Sequence, residues 1–286
     1  MFKSLKRKSA GERILYIAVS LIFMIVALSY IYILVWTFVS GCRSHTEIVM
    51  DPLGLPTTWH FFNFLEVFDK LKVNNNGFLQ MLFNSIWFSV VGSLLTQLCS
   101  ITLAYCISKY TFPGSKWIAS ILLIVMTLPL YGTDGARYKL FYDLGLINNY
   151  FQIVSSYSAT NMFTLFYLAY FSNMSNAYEE AARIDGAQDF QIWFKIILPQ
   201  AKPMFGAMFL TQWITVWNNY QSALVYIPKI PTLPVGIYQF NQEMIYQARL
   251  DILFAACFIT ALPALILFIV FNKTITTSVS IGGIKG

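Results

Sequence analysis

The chain has 286 residues, 57% of them hydrophobic, 17% aromatic and only 11% charged, with a formal net charge of +6 and a mean hydropathy of +0.60. Soluble domains carry roughly 25% charged residues, so this chain lacks the charge to cover a water-facing surface. A soluble enzyme, a disordered chain and a nucleic-acid binder are excluded, and the question becomes which side of a membrane the charges occupy.

A helix that crosses about 30 Å of hydrocarbon needs roughly 20 apolar residues, and six charge-free runs approach that length. The basic start, Lys3, Lys6, Arg7, Lys8 and Arg13, leads into a first run at 14–39. That run exceeds the 7–15 residues or so of a cleavable signal core, so it reads as a retained span. An outer segment at 41–77 follows, with the turn-rich Asp51-Pro52-Leu53-Gly54-Leu55-Pro56 and then Trp59, Phe61 and Phe62. The second run is 78–108, the third and shortest 117–132, the fourth 150–173, the fifth 203–227 and the sixth 252–272. None shows the period-2 alternation of a membrane strand. The expectation is an all-α, polytopic membrane protein with six transmembrane helices. Pro228, Pro231 and Pro234 before Gly236 argue against regular helix between the last two spans.

Basic residues set the orientation. With the N-terminus inside, the inner segments hold twelve basic and five acidic residues, and the outer segments seven and eight. This predicts N-in and C-in, and makes the net positive charge a sign of topology rather than of an anionic ligand. The domain plan is then a cytoplasmic N-terminus (1–13), a first span (14–40), an extracellular segment (41–77), a five-helix core (78–272) with a cytoplasmic loop at 174–202, and a cytoplasmic tail (273–286).

Little catalytic chemistry is visible. An ionisable group at the centre of a span costs about 2.5–3.5 kcal/mol and is kept for a function, yet the six run cores contain none. His45 and His60 lie outside them, and Cys42, Cys99, Cys106 and Cys257 lack metal-site or CxxC spacing. There is no GxxxxGK[ST] loop for nucleotide. The reading is therefore of a non-enzymatic chain with no cofactor or metal of its own. If it moves a solute uphill, the energy comes from another chain.

The loop between the fourth and fifth runs is the informative one. Asn176 is placed to cap a short helix with Glu179 at its third position, as in a capping box. Glu179 and Glu180 suit the positive end of the helix dipole. Ala177, Ala181 and Ile184 fall on one narrow face, Gly186 supplies a left-handed stop, and Pro199 and Pro203 mark re-entry into the membrane. A short helix with a small-residue face fits a groove on a partner; the same residues also fit a polar connection that merely joins two spans.

The segment EEAARIDGAQDFQIWFKIILP resembles the EAA-x3-G-x9-I-x-L-P signature of ABC-importer permease subunits. It matches at every fixed position: Glu180, Ala181, Ala182, Gly186, Ile196, Leu198 and Pro199. The fuller EEAARIDGA is similar to the carbohydrate, MalG-type branch. Asn84-Ser85, AYCISKYTFPGSKW at 104–117, LGLINNY at 144–150, Trp217-Asn218, the stretch Thr232-Leu233-Pro234-Val235-Gly236 and the ending GGIKG resemble family segments too. Asn219-Tyr220 and Gly132-Thr133-Asp134-Gly135 depart from the usual pattern.

The resemblance implies a type I ABC-importer permease fold in a bacterial cytoplasmic membrane, carrying an oligosaccharide or sugar derivative inward by alternating access. It implies a second homologous permease, an ATPase dimer that binds ATP and Mg, and a periplasmic or extracellular solute-binding protein as partners. Glu179, Glu180, Ala181, Ala182, Asp185, Gly186, Ile196, Leu198 and Pro199 would couple ATPase closure to the spans. Gly282, Gly283, Lys285 and Gly286 would reach toward the ATPase, and the 229–249 loop would face the binding protein. Gln212, Trp213, Trp217, Asn218, Asn219 and Tyr220 are candidates for the solute path, where aromatic faces and amides suit neutral sugars; packing explains the two tryptophans equally well. The alternatives are a permease for a polyol phosphate, amino acid or phosphate, and an integral-membrane enzyme or assembly factor.

Overall fold

The computed structural model describes residues 10–110, 112–128, 132–153, 161–247 and 249–282. In chain order the helices are α1 (Ala10–Gly41), α2 (His45–Met50), α3 (Asn63–Lys70), α4 (Phe78–Lys109), α5 (Ser115–Thr127), α6 (Asp134–Asp143), α7 (Met162–Ser172), α8 (Ala177–Ile184), α9 (Asp189–Ile192), α10 (Leu198–Gln200), α11 (Lys202–Trp217), α12 (Tyr220–Tyr226), α13 (Leu233–Gln247) and α14 (Leu250–Gly282). A π turn, Trp193–Ile197, joins α9 to α10. Among the described residues, extended pairing is limited to an isolated bridge between Val73 and Asn76, in keeping with the all-α expectation.

The chain divides into two compact units, Met1–Leu71 with Phe240–Ala261, and Lys72–Gln239 with Leu262–Gly286. In the first, α1 is apolar all round, which suits lipid rather than a protein core. Ser29 and Thr37 on it return their hydroxyls to the Val26 and Ile33 carbonyls, so neither needs an outside partner. Its last turns meet α14: Trp36 packs edge-on against Phe254 and Phe38 against Phe258. A Cβ on Gly41 would stand 3.0 Å from the Ala255 backbone, so a larger residue there would press the two helices apart. Beyond it, Arg249 bridges Glu66 and Asp251, each at 2.9 Å.

The second unit is built around α4. Asn84, Ser85, Ser89, Ser93, Thr96, Gln97 and Ser100 form a buried polar stripe along it, and its main neighbours are α7 and α11. In lipid, helices associate by close packing and interhelical hydrogen bonds rather than by a hydrophobic drive. The small serines allow the approach, and Gln97 supplies the bonds: it accepts from the Tyr167 hydroxyl at 2.8 Å and donates to the Met208 carbonyl at 3.2 Å. At the start of α4, Asn84 donates to the Pro231 carbonyl and Ser85 Oγ accepts from the Leu233 amide. Two segments quoted above for their family resemblance, some 147 positions apart, thus meet in space.

Among the described residues, three helical stretches are long and apolar enough to cross a membrane: Ile14–Gly41, Phe78–Lys109 and Leu250–Phe271. They match the first, second and sixth runs. The third run appears as the 13-residue α5, with 129–131 outside the described residues. Of the fourth run, α7 is described, and 154–160 lie outside. The fifth run is not one helix: it breaks after Trp217, where Asn219 accepts from the Ser222 amide at 3.0 Å and caps α12. Asparagine favours such a cap because its side chain replaces a backbone acceptor. The proline argument fails in one place. Pro234 is the second residue of α13, where its missing N–H falls among those without an intrahelical partner, and Gly236 is helical.

Candidate functional site

The 174–202 loop folds as three short helices, α8, α9 and α10, with the π turn between the last two, and packs on the C-terminal end of α4. The α8 start differs from the expected capping box. Asn176 has helical backbone angles and makes no side-chain cap. Its Oδ1 instead accepts from the Lys109 ammonium at 2.7 Å, and the same ammonium donates to the Met174 carbonyl at 2.6 Å. Lys109 stands in the last turn of α4, where a cation also suits the negative helix end. A local cap is thus replaced by a tether between α4 and the loop, a contact that local reading of the sequence cannot supply.

The end of α8 follows expectation closely. Gly186 has φ of 80°; its amide donates to the Arg183 carbonyl and the Ala187 amide to the Ala182 carbonyl, at 3.0 and 2.9 Å. These two bonds are a Schellman stop, with Ala182 and Ala187 both packed on the loop's apolar anchor. Arg183 then pairs with Asp189 at 2.6 Å, half-exposed on both sides, a contact worth about 0–1 kcal/mol. The signature proline shapes the other end. Pro199 offers no N–H to the helix and its ring crowds the carbonyl four residues back; just upstream the backbone widens into the π turn, with the Leu198 amide reaching the Trp193 carbonyl.

The predicted coupling residues divide into two sets. One set turns inward. Ala182, Ile192, Trp193, Ile197 and Ala201 are buried with Ile101, Ala104 and Tyr105 of α4 and Tyr167 and Phe171 of α7, and Ile196 and Leu198 pack on that cluster. Tyr105 centres it, 4.6 Å from the Trp193 ring and 5.6 Å from Phe171. Glu179 is also buried, and among the described residues its Oε1 has no hydrogen-bond partner. Burial pushes this carboxyl above the ordinary carboxylate range, against the opposing pull of Lys109 and Arg183.

The other set is presented outward. Glu180, Ala181, Asp185, Gly186 and Ile184 are exposed, Ile184 by 87%. Sequence reasoning missed Phe190 and Phe194, whose exposed rings pack on each other at 4.4 Å just after this surface in the chain; two aromatics one turn apart in a polar loop were the available signal. The result is a small-residue helix end, bordered by large apolar side chains and rigidly backed by the anchor.

The solute-path candidates lie on α11 and at its junction with α12. Trp213 and Trp217 are buried and stacked on each other at 4.8 Å, so their faces are occupied, and the buried Trp213 Nε1 finds no acceptor among the described residues. Asn218 donates to the Ile214 carbonyl, Asn219 caps α12, and Tyr220 stacks on Tyr238 at 4.7 Å. Gln212 is half-buried on α11. These groups mark the helix break. Gly282 ends α14, and Gly283, Lys285 and Gly286 lie outside the described residues.

Residues 98–280 match the family model described as binding-protein-dependent transport system inner membrane component. The chain is 27% identical over 275 residues to the arabinooligosaccharides transport system permease protein AraQ of Bacillus subtilis, covering 94% of this chain and 96% of that one. It is 28% identical over 253 residues to the diacetylchitobiose uptake system permease protein NgcG of Streptomyces coelicolor, covering 87% and 82%. A solved bacterial ABC transporter involved in the import of the acidic polysaccharide alginate superposes with TM-score 0.76 and 26% identity, over 93% of this chain and 98% of the other. The family match includes the loop at 174–202 and extends over well more than half of the sequence, so the chain belongs to the binding-protein-dependent transport system inner membrane components, the permease subunits of ABC importers.

Proposed function

We propose that this chain is a permease subunit of an ATP-driven, binding-protein-dependent importer of an oligosaccharide or sugar derivative. It sits in the bacterial cytoplasmic membrane with six spans and both termini inside. Its partners are a second permease, an ATPase dimer that holds ATP and Mg, and an extracellular or periplasmic solute-binding protein. The carbohydrate class is supported by relatives whose names specify oligosaccharide transport. The observation that carries the coupling role is the division of the 174–202 loop into an exposed α8 end and a buried aromatic anchor.

In this reading α8 seats in a cleft of the ATPase, with Ala181 allowing close approach and Glu180 meeting a basic group. Glu179, Ala182, Ile196, Leu198 and Pro199 hold the seated helix to α4 and α7. ATPase closure then moves these helices as a block, because a close-packed interior transmits displacement rather than absorbing it. Purification with this chain as bait tests the assembly, and uptake of oligosaccharides against polyol phosphates, amino acids and phosphate tests the solute. Glu180→Lys should retain the complex and lose uptake while ATP hydrolysis continues. Full uptake by that variant at normal complex levels rejects the coupling role, and recovery of no ATPase rejects the assembly.

A further inference from the structure

The outer segment between α1 and α3 carries an apolar surface that neither the transport reading nor the first unit's core uses. Met50, Leu53 and Leu55 are 86%, 72% and 79% exposed, and Trp59, Phe61 and Phe62 more than half exposed. No ionisable residue occurs from Pro52 to Trp59. Two charged side chains before it are tied to the loop's own backbone. Arg43 is buried and donates to the Glu47 and Asp51 carbonyls at 2.7 and 2.6 Å. Glu47 is held by the Ser44 and Thr57 amides. These bonds brace the loop backbone from within, while Leu53 and Leu55 stand on its outside between the exposed Asp51 and His60 at its two edges.

Three hydrogen bonds fix the depth of this surface along α1. Asn63 Nδ2 donates to the Gly41 and Arg43 carbonyls, closing the loop at the helix end. Trp36 Nε1 donates to the Pro52 carbonyl at 3.0 Å. Trp36 lies five residues before Gly41, about 7.5 Å back along the helix, so the turn at Pro52 folds down beside α1 instead of rising from it. The apolar stretch Ile14–Gly41 has 28 residues and is about 42 Å long, against about 30 Å of hydrocarbon. Centred in the bilayer, it leaves about four residues beyond the hydrocarbon at each end, and Trp36 falls at the boundary. The Leu53–Leu55 turn directly follows the Pro52 that Trp36 holds at this level, and the apolar window of α1 has none of its residues buried.

We propose that residues 50–62 form a membrane-interface anchor that inserts Leu53 and Leu55 into the outer leaflet, with Trp59, Phe61 and Phe62 in the headgroup layer. The chemistry is that of interfacial segments: aromatic rings are enriched at this depth, and an apolar face inserts about 5–10 Å. The inference rests on α1 being a span of the permease proposed above. Arg43 is its positioning residue, because it holds the Glu47 and Asp51 carbonyls that lead into the turn.

The test uses the full chain assembled with its partner subunits in phosphatidylcholine nanodiscs. Cys99, Cys106 and Cys257 are replaced by alanine and the buried Cys42 is kept. Nitroxide labels are placed singly at Leu53→Cys and Leu55→Cys, with Ile25→Cys in mid-α1 as the lipid reference and Lys70→Cys as the water reference. The labels at 53 and 55 should relax several-fold more with oxygen than with water-soluble nickel chelate, as at position 25. Relaxation like that at position 70 overturns the anchor in favour of a water-exposed loop. Low access to both reagents overturns it in favour of cover by another subunit. Nickel access at position 25 instead rejects the span itself, and with it the reading on which the anchor depends.

Discussion

Gly186→Val separates the two things a glycine at the end of α8 can do. The residue sits at φ of +80°, and a Cβ built on it meets nothing within 4 Å. Inside this chain the cost of a side chain is therefore conformational: about 1–2 kcal/mol for an ordinary L residue in the left-handed region, least for asparagine and greatest for a β-branched residue. That amount shifts the balance between a closed and an open Schellman turn by roughly 5–30-fold, and it releases the direction of α9. Measured as solute uptake with the full complex in membranes, Gly186→Val should lose activity several-fold, and Gly186→Asn should retain most of it. ATP hydrolysis should persist in both. Equal uptake by valine and wild type at normal complex levels refutes the left-handed requirement. Equal loss by asparagine and valine refutes it differently, since the position would then be limited by contact with the ATPase rather than by backbone angle.

Three further outcomes follow from the same geometry. Lys109→Met removes the donor to Met174 and Asn176 and should raise proteolytic sensitivity of the 174–176 linker and lower uptake, with Lys109→Arg retaining more of both; identical behaviour of the two variants counts against the tether. Glu179 is held above its unfolded pKa by burial, so the folded chain binds the extra proton and stability declines as pH rises from about 4.3 through the folded value. Glu179→Gln should flatten the pH dependence of the melting temperature across that window, and an unchanged slope would assign it to another group. Gln97→Leu leaves the buried Tyr167 hydroxyl without its acceptor and removes a second bond to the Met208 carbonyl, at about 1–3 kcal/mol. The double variant with Tyr167→Phe should recover part of that loss, whereas strict additivity of melting shifts would show that the two side chains are uncoupled.

Those positions also mark how far the sequence is legible. Gly186 was readable because its requirement is local: a left-handed residue after a short amphipathic turn needs no knowledge of neighbours. The three long spans were readable for the same reason, since length and apolarity are properties of one segment. Asn176 shows the limit. Its local chemistry favours a cap, but Lys109, 67 positions away, takes the oxygen that the cap would have used. The fifth run shows another limit, because hydropathy does not register a break when Asn218 and Asn219 are flanked by aromatic residues. Within the signature itself, spacing located all the residues but did not separate Glu180 and Ala181, which are presented, from Glu179 and Ala182, which are buried. That distinction depends on which face of α8 meets α4, and it emerges only with the packing.

The charge deficit of the chain and the form of its 174–202 loop are connected. Lacking ionisable groups in its apolar cores, the chain assembles the second unit with neutral polar groups: serines that allow close approach, and Gln97 linking α4 to both α7 and α11. Such a stripe locks helices together without offering a site whose protonation would move them. Movement must then enter at an end of the unit, and α4 provides one, since Tyr105 and Lys109 on its last turns hold the 174–202 loop through ring packing and two hydrogen bonds. The same helix begins at Asn84 and Ser85, which grip the segment before α13. A displacement of α8 that is not absorbed in the aromatic anchor is therefore carried along α4 to the opposite face, where the loop that precedes α13 is tied to it. Softening the anchor, by reducing Trp193 or Tyr105 to alanine, would break this path while leaving the presented face of α8 unchanged. Such variants should still bind the ATPase and hydrolyse ATP but transport poorly, and loss of ATPase binding would show instead that the anchor serves only to shape the docking surface.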